Sequence, residues 1–121
     1  MANTFKVVTL ADVAVDSGTY STLYTVAGST TTIILGLALA NKINAVRTVT
    51  VKIESDTGNR AGDNNAANEN ITLLNEVSIP ADTTLEVLAG QKYVLEATDV
   101  MKIGASAGTS VDAILSIMEI T

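Results

Sequence analysis

Short apolar runs separated by turn-forming residues extend along the whole chain. Several of these runs alternate apolar with polar residues, a period that is typical of β-strands with one buried face. Glycine, asparagine, aspartate and serine between the runs mark turns. The pattern predicts an all-β, single antiparallel β-sandwich or jelly-roll domain of eight or nine strands. The predicted strands are Phe5–Leu10, Tyr20–Val26, Thr30–Ala40, Ala45–Glu54, Asn70–Ile79, Thr84–Leu88, Gln91–Ala97, Val100–Ala105 and Val111–Ile120.

One segment interrupts this pattern, a long polar loop at about residues 55–70 in a chain of 121 residues that we expect to form one domain. The loop has almost no apolar side chain and is rich in carboxylate and amide oxygens, which are ligands that calcium favours. The glycine and glutamate of a calcium-binding loop are not in register, so a hydrated surface loop and a cation site both remain open.

Two strands lack the polar face that a solvent-exposed strand carries. In the third predicted strand, one face has Ile33, Leu35, Leu37 and Leu39, and the other has Ile34, Gly36, Ala38 and Ala40. In the last strand, Val111, Ala113, Leu115 and Ile117 form one face, and the other is also largely apolar. Only 17% of all residues are charged, against about 25% in a typical soluble protein. We therefore predict a homo-oligomer with an interface formed by Ile34, Gly36, Ala38, Ala40, Ile114, Met118 and Ile120.

Composition excludes several classes of chemistry. The chain contains no histidine and no cysteine, so histidine-based catalysis, thiolate nucleophiles and the usual zinc sites are absent. We expect no enzymatic activity, no cofactor and no bound transition metal. The net charge of −6 disfavours direct binding to nucleic acid and to anionic membranes, and no apolar run reaches the length of a membrane-spanning helix. Tyr20 and Tyr24 share a parity, so they form either a small stacking platform or part of the core.

The C-terminal part of the chain is a series of short turn and strand motifs. They are Ile79-Pro80-Ala81, Thr84-Leu85-Glu86-Val87-Leu88, Gly90-Gln91-Lys92, Tyr93-Val94-Leu95-Glu96, Ala105-Ser106-Ala107 and Ser110-Val111-Asp112-Ala113-Ile114-Leu115-Ser116. With these motifs, and with the N-terminal run from Tyr24 to Leu37, the chain resembles small β-structured virion proteins of tailed bacteriophages, particularly capsid decoration (cement) proteins. Asp82 stands where the pattern has glycine after Pro80-Ala81.

The resemblance implies a protein on the capsid exterior that binds the major capsid protein and bridges neighbouring subunits, commonly as a trimer. The N-terminus has no secretory signal pattern, so we expect synthesis in the host cytoplasm. Two other functions remain open at this point. One is a neck, tail or baseplate adaptor of the virion, and the other is a carbohydrate-binding or adhesive module.

Overall fold

Strands form where the apolar runs predict them. The computed structural model describes residues 2–17, 20–57, 69–88 and 90–121. Within these ranges nine strands match the predicted ones to within a few residues at each end, which confirms the all-β fold. The strands are β1 (Asn3–Leu10), β2 (Ser21–Thr25), β3 (Thr31–Asn41), β4 (Arg47–Ser55), β5 (Glu69–Ile79), β6 (Thr84–Glu86), β7 (Tyr93–Leu95), β8 (Val100–Ala105) and β9 (Val111–Ile120).

The strands form two antiparallel sheets that pack together as a β-sandwich. Sheet A has the order β1-β9-β3-β6, with β7 also paired to β3, and sheet B has the order β2-β8-β4-β5. The first strand pairs with the last over the full length of β1, from the pair Asn3–Ile120 to the pair Leu10–Ala113. Next to this strand pair, Ala2 and Thr121 exchange two backbone hydrogen bonds of 3.0 and 3.2 Å.

The core lies between the two sheets and is built from aliphatic side chains. The predicted inward face of β9 is confirmed, since Val111, Ala113, Leu115 and Ile117 are at most 1% exposed. Sheet B contributes the alternate residues Val49 and Val51 of β4 together with Met101 and Ile103 of β8, all at 0% exposure. Burial of this kind stabilises the fold by about 25 cal/mol per Å² of apolar surface.

A β-bulge in β3 reverses the direction of its side chains. Ile34 is opposite Ile117 and Gly36 is opposite Ser116, so Leu35 has no partner on β9. An extra residue in one strand shifts the alternation by one position. Before the bulge, β3 buries Thr32 and Ile34, and after it β3 buries Leu37, Leu39 and Asn41.

The segment between β1 and β2 crosses sheet B where β8 has a glycine. Val13 is fully buried, and Asp16 donates its N–H to the carbonyl of Ala105 at 2.8 Å. A Cβ at Gly104 would lie 2.8 Å from Asp16 Cβ and 3.2 Å from the ring of Tyr20. Glycine is therefore required at position 104 for the crossing.

The long connection after β4 begins at a buried carboxylate. Asp99 is 6% exposed, and its Oδ1 accepts the N–H groups of Asp56 at 2.9 Å and Thr57 at 3.0 Å. Its Oδ2 accepts the N–H of Glu96 at 3.1 Å. Most of the predicted polar loop, residues 58–68, lies outside the described part of the chain, and the possible cation site lies there with it.

Several turns place non-glycine residues at positive φ. Asp82, at the position where the resemblance has glycine, has a φ of 53°, a conformation that aspartate tolerates better than most residues. Thr98 and Thr109 have φ values of 73° and 53°. For β-branched residues this conformation is strained.

Replacing Thr98 with asparagine should stabilise the protein. Thr98 is exposed and asparagine accommodates positive φ, so we expect the free energy of unfolding to rise by about 1 kcal/mol. Thr25, which is exposed in β2 and is not among the residues at positive φ, is the matched control. Thr25→Asn should lower stability slightly because asparagine is a poor strand residue. Chemical denaturation of both variants measures the difference, and equal effects would show that position 98 is unstrained.

Candidate assembly surface

The face of sheet A that points away from the core, called the outer face below, is largely apolar. Strand register places its side chains in rows across β1, β9, β3 and the short strands β6 and β7. The longest apolar row has one large side chain on each of four strands: Phe5, Met118, Ile33 and Val94. The next rows are Val7, Ser116 and Gly36, then Thr9, Ile114, Ala38 and Glu86.

Several of these apolar side chains are open to solvent. Phe5, Val7, Val94 and Ile114 are 73%, 64%, 62% and 44% exposed. Together they present on the order of 400 Å² of surface, and patches of this size on a monomer are often functional. Within the described ranges, no helix is long and apolar enough to cross a membrane.

Six of the seven predicted interface residues lie on the outer face. Ile114 is exposed, and the other five are partly buried: Gly36, Ala38, Ala40, Met118 and Ile120. The prediction for Ile34 is wrong, because this residue is 0% exposed in the core. The cause is the bulge at Leu35, which gives Ile34 the opposite direction from the one that uninterrupted alternation assigns to it.

Four members of the surface were missed by the sequence reasoning. Uninterrupted alternation places Ile33 on the face that points into the core, whereas the bulge at Leu35 leaves it on the outer face. Phe5 and Val7 of β1 and Val94 of β7 belong to the surface through strand neighbours that are remote in sequence. The available signal was the alternation of Phe5, Val7 and Thr9, but its meaning depends on knowing that β1 pairs with β9.

On β1 and β3 the outer face is stepped, with large side chains at one end and smaller ones at the other. Ile114 of β9 and Glu86 of β6 are large side chains at the second end. The large-residue row contains Phe5, Met118, Ile33 and Val94. The small-residue region contains Gly36, Ala38 and Ala40 of β3. Beside it is a depression of about 260 Å³ lined by Thr9, Leu10, Ala11, Asp112, Ala113 and Ile114.

Glu86 fixes the backbone at the boundary between these two parts. Its Oε1 accepts the N–H of Leu88 at 2.9 Å and, more weakly, the N–H of Leu37 at 3.5 Å. Its carboxylate lies over Gly36, where a Cβ would be 3.2 Å from Oε2. The bulge thus obtains a hydrogen-bond acceptor that the strand ladder does not supply.

Removing this acceptor should weaken the bulge. We expect Glu86→Ala to lower the free energy of unfolding by about 1 kcal/mol, with a smaller loss for Glu86→Gln because the amide carbonyl still accepts. Thr84, exposed on the same strand and face, is the matched position, and Thr84→Ala should have little effect. If denaturation shows equal losses for Glu86→Ala and Thr84→Ala, the carboxylate does not support the bulge.

A polar network closes the end of the core near the termini. The hydroxyl of Tyr24 is 2.8 Å from Thr32 Oγ1 and donates to Glu119 Oε2 at 2.5 Å, and Lys6 Nζ lies 2.7 Å from Glu119 Oε1. Burial and the hydrogen bond to Glu119 raise the pKa of Tyr24 to about 12. Hydrogen bonds from Lys6 and Tyr24 lower the pKa of Glu119.

The two tyrosines do not form a platform. Tyr24 packs against the core, whereas Tyr20 lies over Gly104 and under Lys52 Nζ, 4.8 Å from the ring centroid, on the far side of sheet B. The register shift between Thr22 and Tyr24 breaks the parity on which the platform depended.

The raised pKa of Tyr24 predicts a loss of stability at high pH. The folded state holds the phenolic proton more tightly than the unfolded chain, whose pKa is 10.0. The stabilisation is therefore complete below pH 10 and is lost as the pH rises from 10 to about 12. Unfolding measured across this range should show this loss in the wild type and not in Tyr24→Phe. A tyrosinate absorbance titration in which Tyr24 ionises near 10 would contradict the assignment.

At the base of the long connection, the acidic residues Glu54 and Asp56 lie close together. Burial and the nearby Glu54 raise the pKa of Asp56, whereas the hydrogen bond from Lys102 lowers the pKa of Glu54. Among the residues that the structure describes, no group of three or more histidine, cysteine or carboxylate side chains is placed to hold a metal ion.

Comparison with known protein families, with curated proteins and with solved structures finds no match to this chain.

Proposed function

We propose that this chain is a structural protein of a tailed-bacteriophage virion, and specifically a capsid decoration (cement) protein. The observation that carries the proposal is the apolar outer face, on which Phe5, Val7 and Val94 are each more than 60% exposed. The turn and strand motifs that resemble decoration proteins support the same function. In this proposal the partner is the major capsid protein, and the location is the capsid exterior.

The net charge of the chain supports a position on the outside of the capsid shell. A net charge of −6 is repelled by the densely packed DNA inside a filled head and is tolerated on its exterior. The same charge disfavours direct contact with nucleic acid.

The proposed mechanism is stabilisation by mass action. A protein that binds only the assembled shell lowers the free energy of that shell relative to its dissociated subunits. A symmetric homo-oligomer, which the resemblance implies to be a trimer, engages several capsid subunits at once, and multivalency strengthens individually weak contacts. Binding then depends on the spacing of subunits in the expanded lattice.

The proposal predicts binding to expanded capsids and not to free capsid protein. Capsids of the encoding phage assembled without this protein should rupture at a lower temperature, and adding the purified protein should restore their stability. Ala38→Glu on the outer face should abolish this restoration. Val46→Glu, at a position 58% exposed before β4, should retain it.

Sedimentation with capsids and thermal rupture assays measure both effects. If virions without the protein keep full capsid stability but lose tails or fail to adsorb, the decoration function is wrong and a neck, tail or baseplate adaptor takes its place. A chain that binds neither virion part but binds glycans on an array would instead be an adhesive module.

A further inference from the structure

We propose that the outer face of sheet A packs against the same face of a second copy of this chain, across a two-fold axis that passes close to Val7. The inference rests on the homo-oligomer of the proposed function and specifies its contact. It replaces the trimer implied by the resemblance with a two-fold pair, because the shape of the face matches itself.

The stepped shape of the outer face is self-complementary. Its large-residue row occupies one end of the face, and its small-residue region occupies the other. A two-fold axis in the plane of the contact and perpendicular to the strands reverses the strand direction of the second copy. Phe5 and Ile33 of each copy then lie over the smaller side chains Thr9 and Ala38 of the other copy, which is how large and small side chains interlock between packed layers.

The position of the axis follows from strand register. Phe5 is the most exposed large side chain at 73%, and the depression beside Thr9 and Ile114 lies farther along the same strand pair. Positions 5 and 9 are about 13 Å apart at the rise of a β-strand, so the phenyl ring does not reach the depression of its own chain. An axis midway between them, at Val7, places each Phe5 opposite the depression of the other copy.

The area of the face matches what a stable pair requires. A standard interface buries about 800 Å² on each partner, of which roughly 60% is apolar. The four most exposed apolar residues supply most of that apolar share, and the partly buried Met118, Ile120 and Ile33 around them add to it.

Charge favours a pair in which the strands of the second copy run in the reverse direction over a pair in which the strands of both copies run in the same direction. The row at the axis and the large-residue row carry no charged side chain, whereas Glu86 and Asp112 lie toward the small-residue end. Reversal places the acidic ends of two copies at opposite ends of the pair. Parallel packing would instead bring like charges together in a chain with a net charge of −6.

The sheet edges are poor alternatives for self-association. On β1 the inward-facing Lys6 pairs with Glu119, and β6 and β7 have three residues each. In sheet B, β2 has a register shift between Thr22 and Tyr24. The ladder between β5 and β4 has two register shifts, and Glu76, which lies beside one of them, has a φ of 50°. Inward charges, short strands and bulges all oppose edge-to-edge pairing, which leaves the outer face.

Cross-linking at the axis tests the geometry. The chain has no cysteine, so Val7→Cys introduces a single thiol. Packed sheets lie about 10 Å apart, beyond the Cα separation of a disulfide, so the reagent is a short bismaleimide. We expect most of the Val7→Cys protein to become a covalent dimer. Val46→Cys, similarly exposed at 58% but off the face, should remain uncross-linked.

The mass and affinity of the purified protein complete the test. Sedimentation equilibrium should give twice the chain mass of 12.5 kDa, and Phe5→Ser should raise the dissociation constant at least ten-fold. Phe5 is exposed, so this variant should fold with an unchanged circular dichroism spectrum. A monomer at all concentrations, a trimer, or equal cross-linking at positions 7 and 46 would overturn the proposal. No capsid is present in these experiments, so their failure is separate from failure of capsid binding.

Discussion

The fold depends on one unpaired residue in its most connected strand. β3 pairs with β9, β6 and β7, and Leu35 is the extra residue in its ladder. With uninterrupted alternation, the face that buries Ile34 would also bury Gly36 and Ala38, and Leu37 would face outward. A shift of one residue changes the face of every side chain that follows it. The bulge therefore supplies the core with large side chains and leaves small ones on the outer face.

Polar groups close the sandwich where aliphatic side chains end. Asn41, 4% exposed, donates from Nδ2 to the carbonyls of Ala45, Ile79 and Pro80 at 2.8 to 3.2 Å, and its Oδ1 accepts the N–H of Ile43. Tyr24 and Asp99 act similarly at other boundaries of the core. Each of these side chains forms hydrogen bonds with backbone or side-chain groups that would otherwise be buried without partners. A buried polar group without a partner lowers stability by about 1–3 kcal/mol.

The sequence was sufficient for the strands because their signals are local. Alternation places Val111, Ala113, Leu115 and Ile117 of β9 on one face, which is the buried one, and turn residues locate the ends of the strands. Two features were not predictable in this way. A bulge has no residue signature in β3, so Ile34 and Ile33 were assigned to the wrong faces. Strand order is a long-range property, so the contribution of Phe5 to the outer face was not visible before β1 was placed beside β9.

The pairing of the first strand with the last also has a consequence for how the chain folds. β1 leaves the ribosome before the other strands, but its ladder partner, β9, follows about 100 residues later. Until then the apolar residues of β1 have no sheet to join. Contacts between such distant segments slow folding to the range of milliseconds to seconds, because the chain must lose much conformational entropy before they form. β1, which contributes Phe5 and Val7 to the outer face, is thus among the last strands to pair. Few partly folded chains therefore present the complete outer face to a partner.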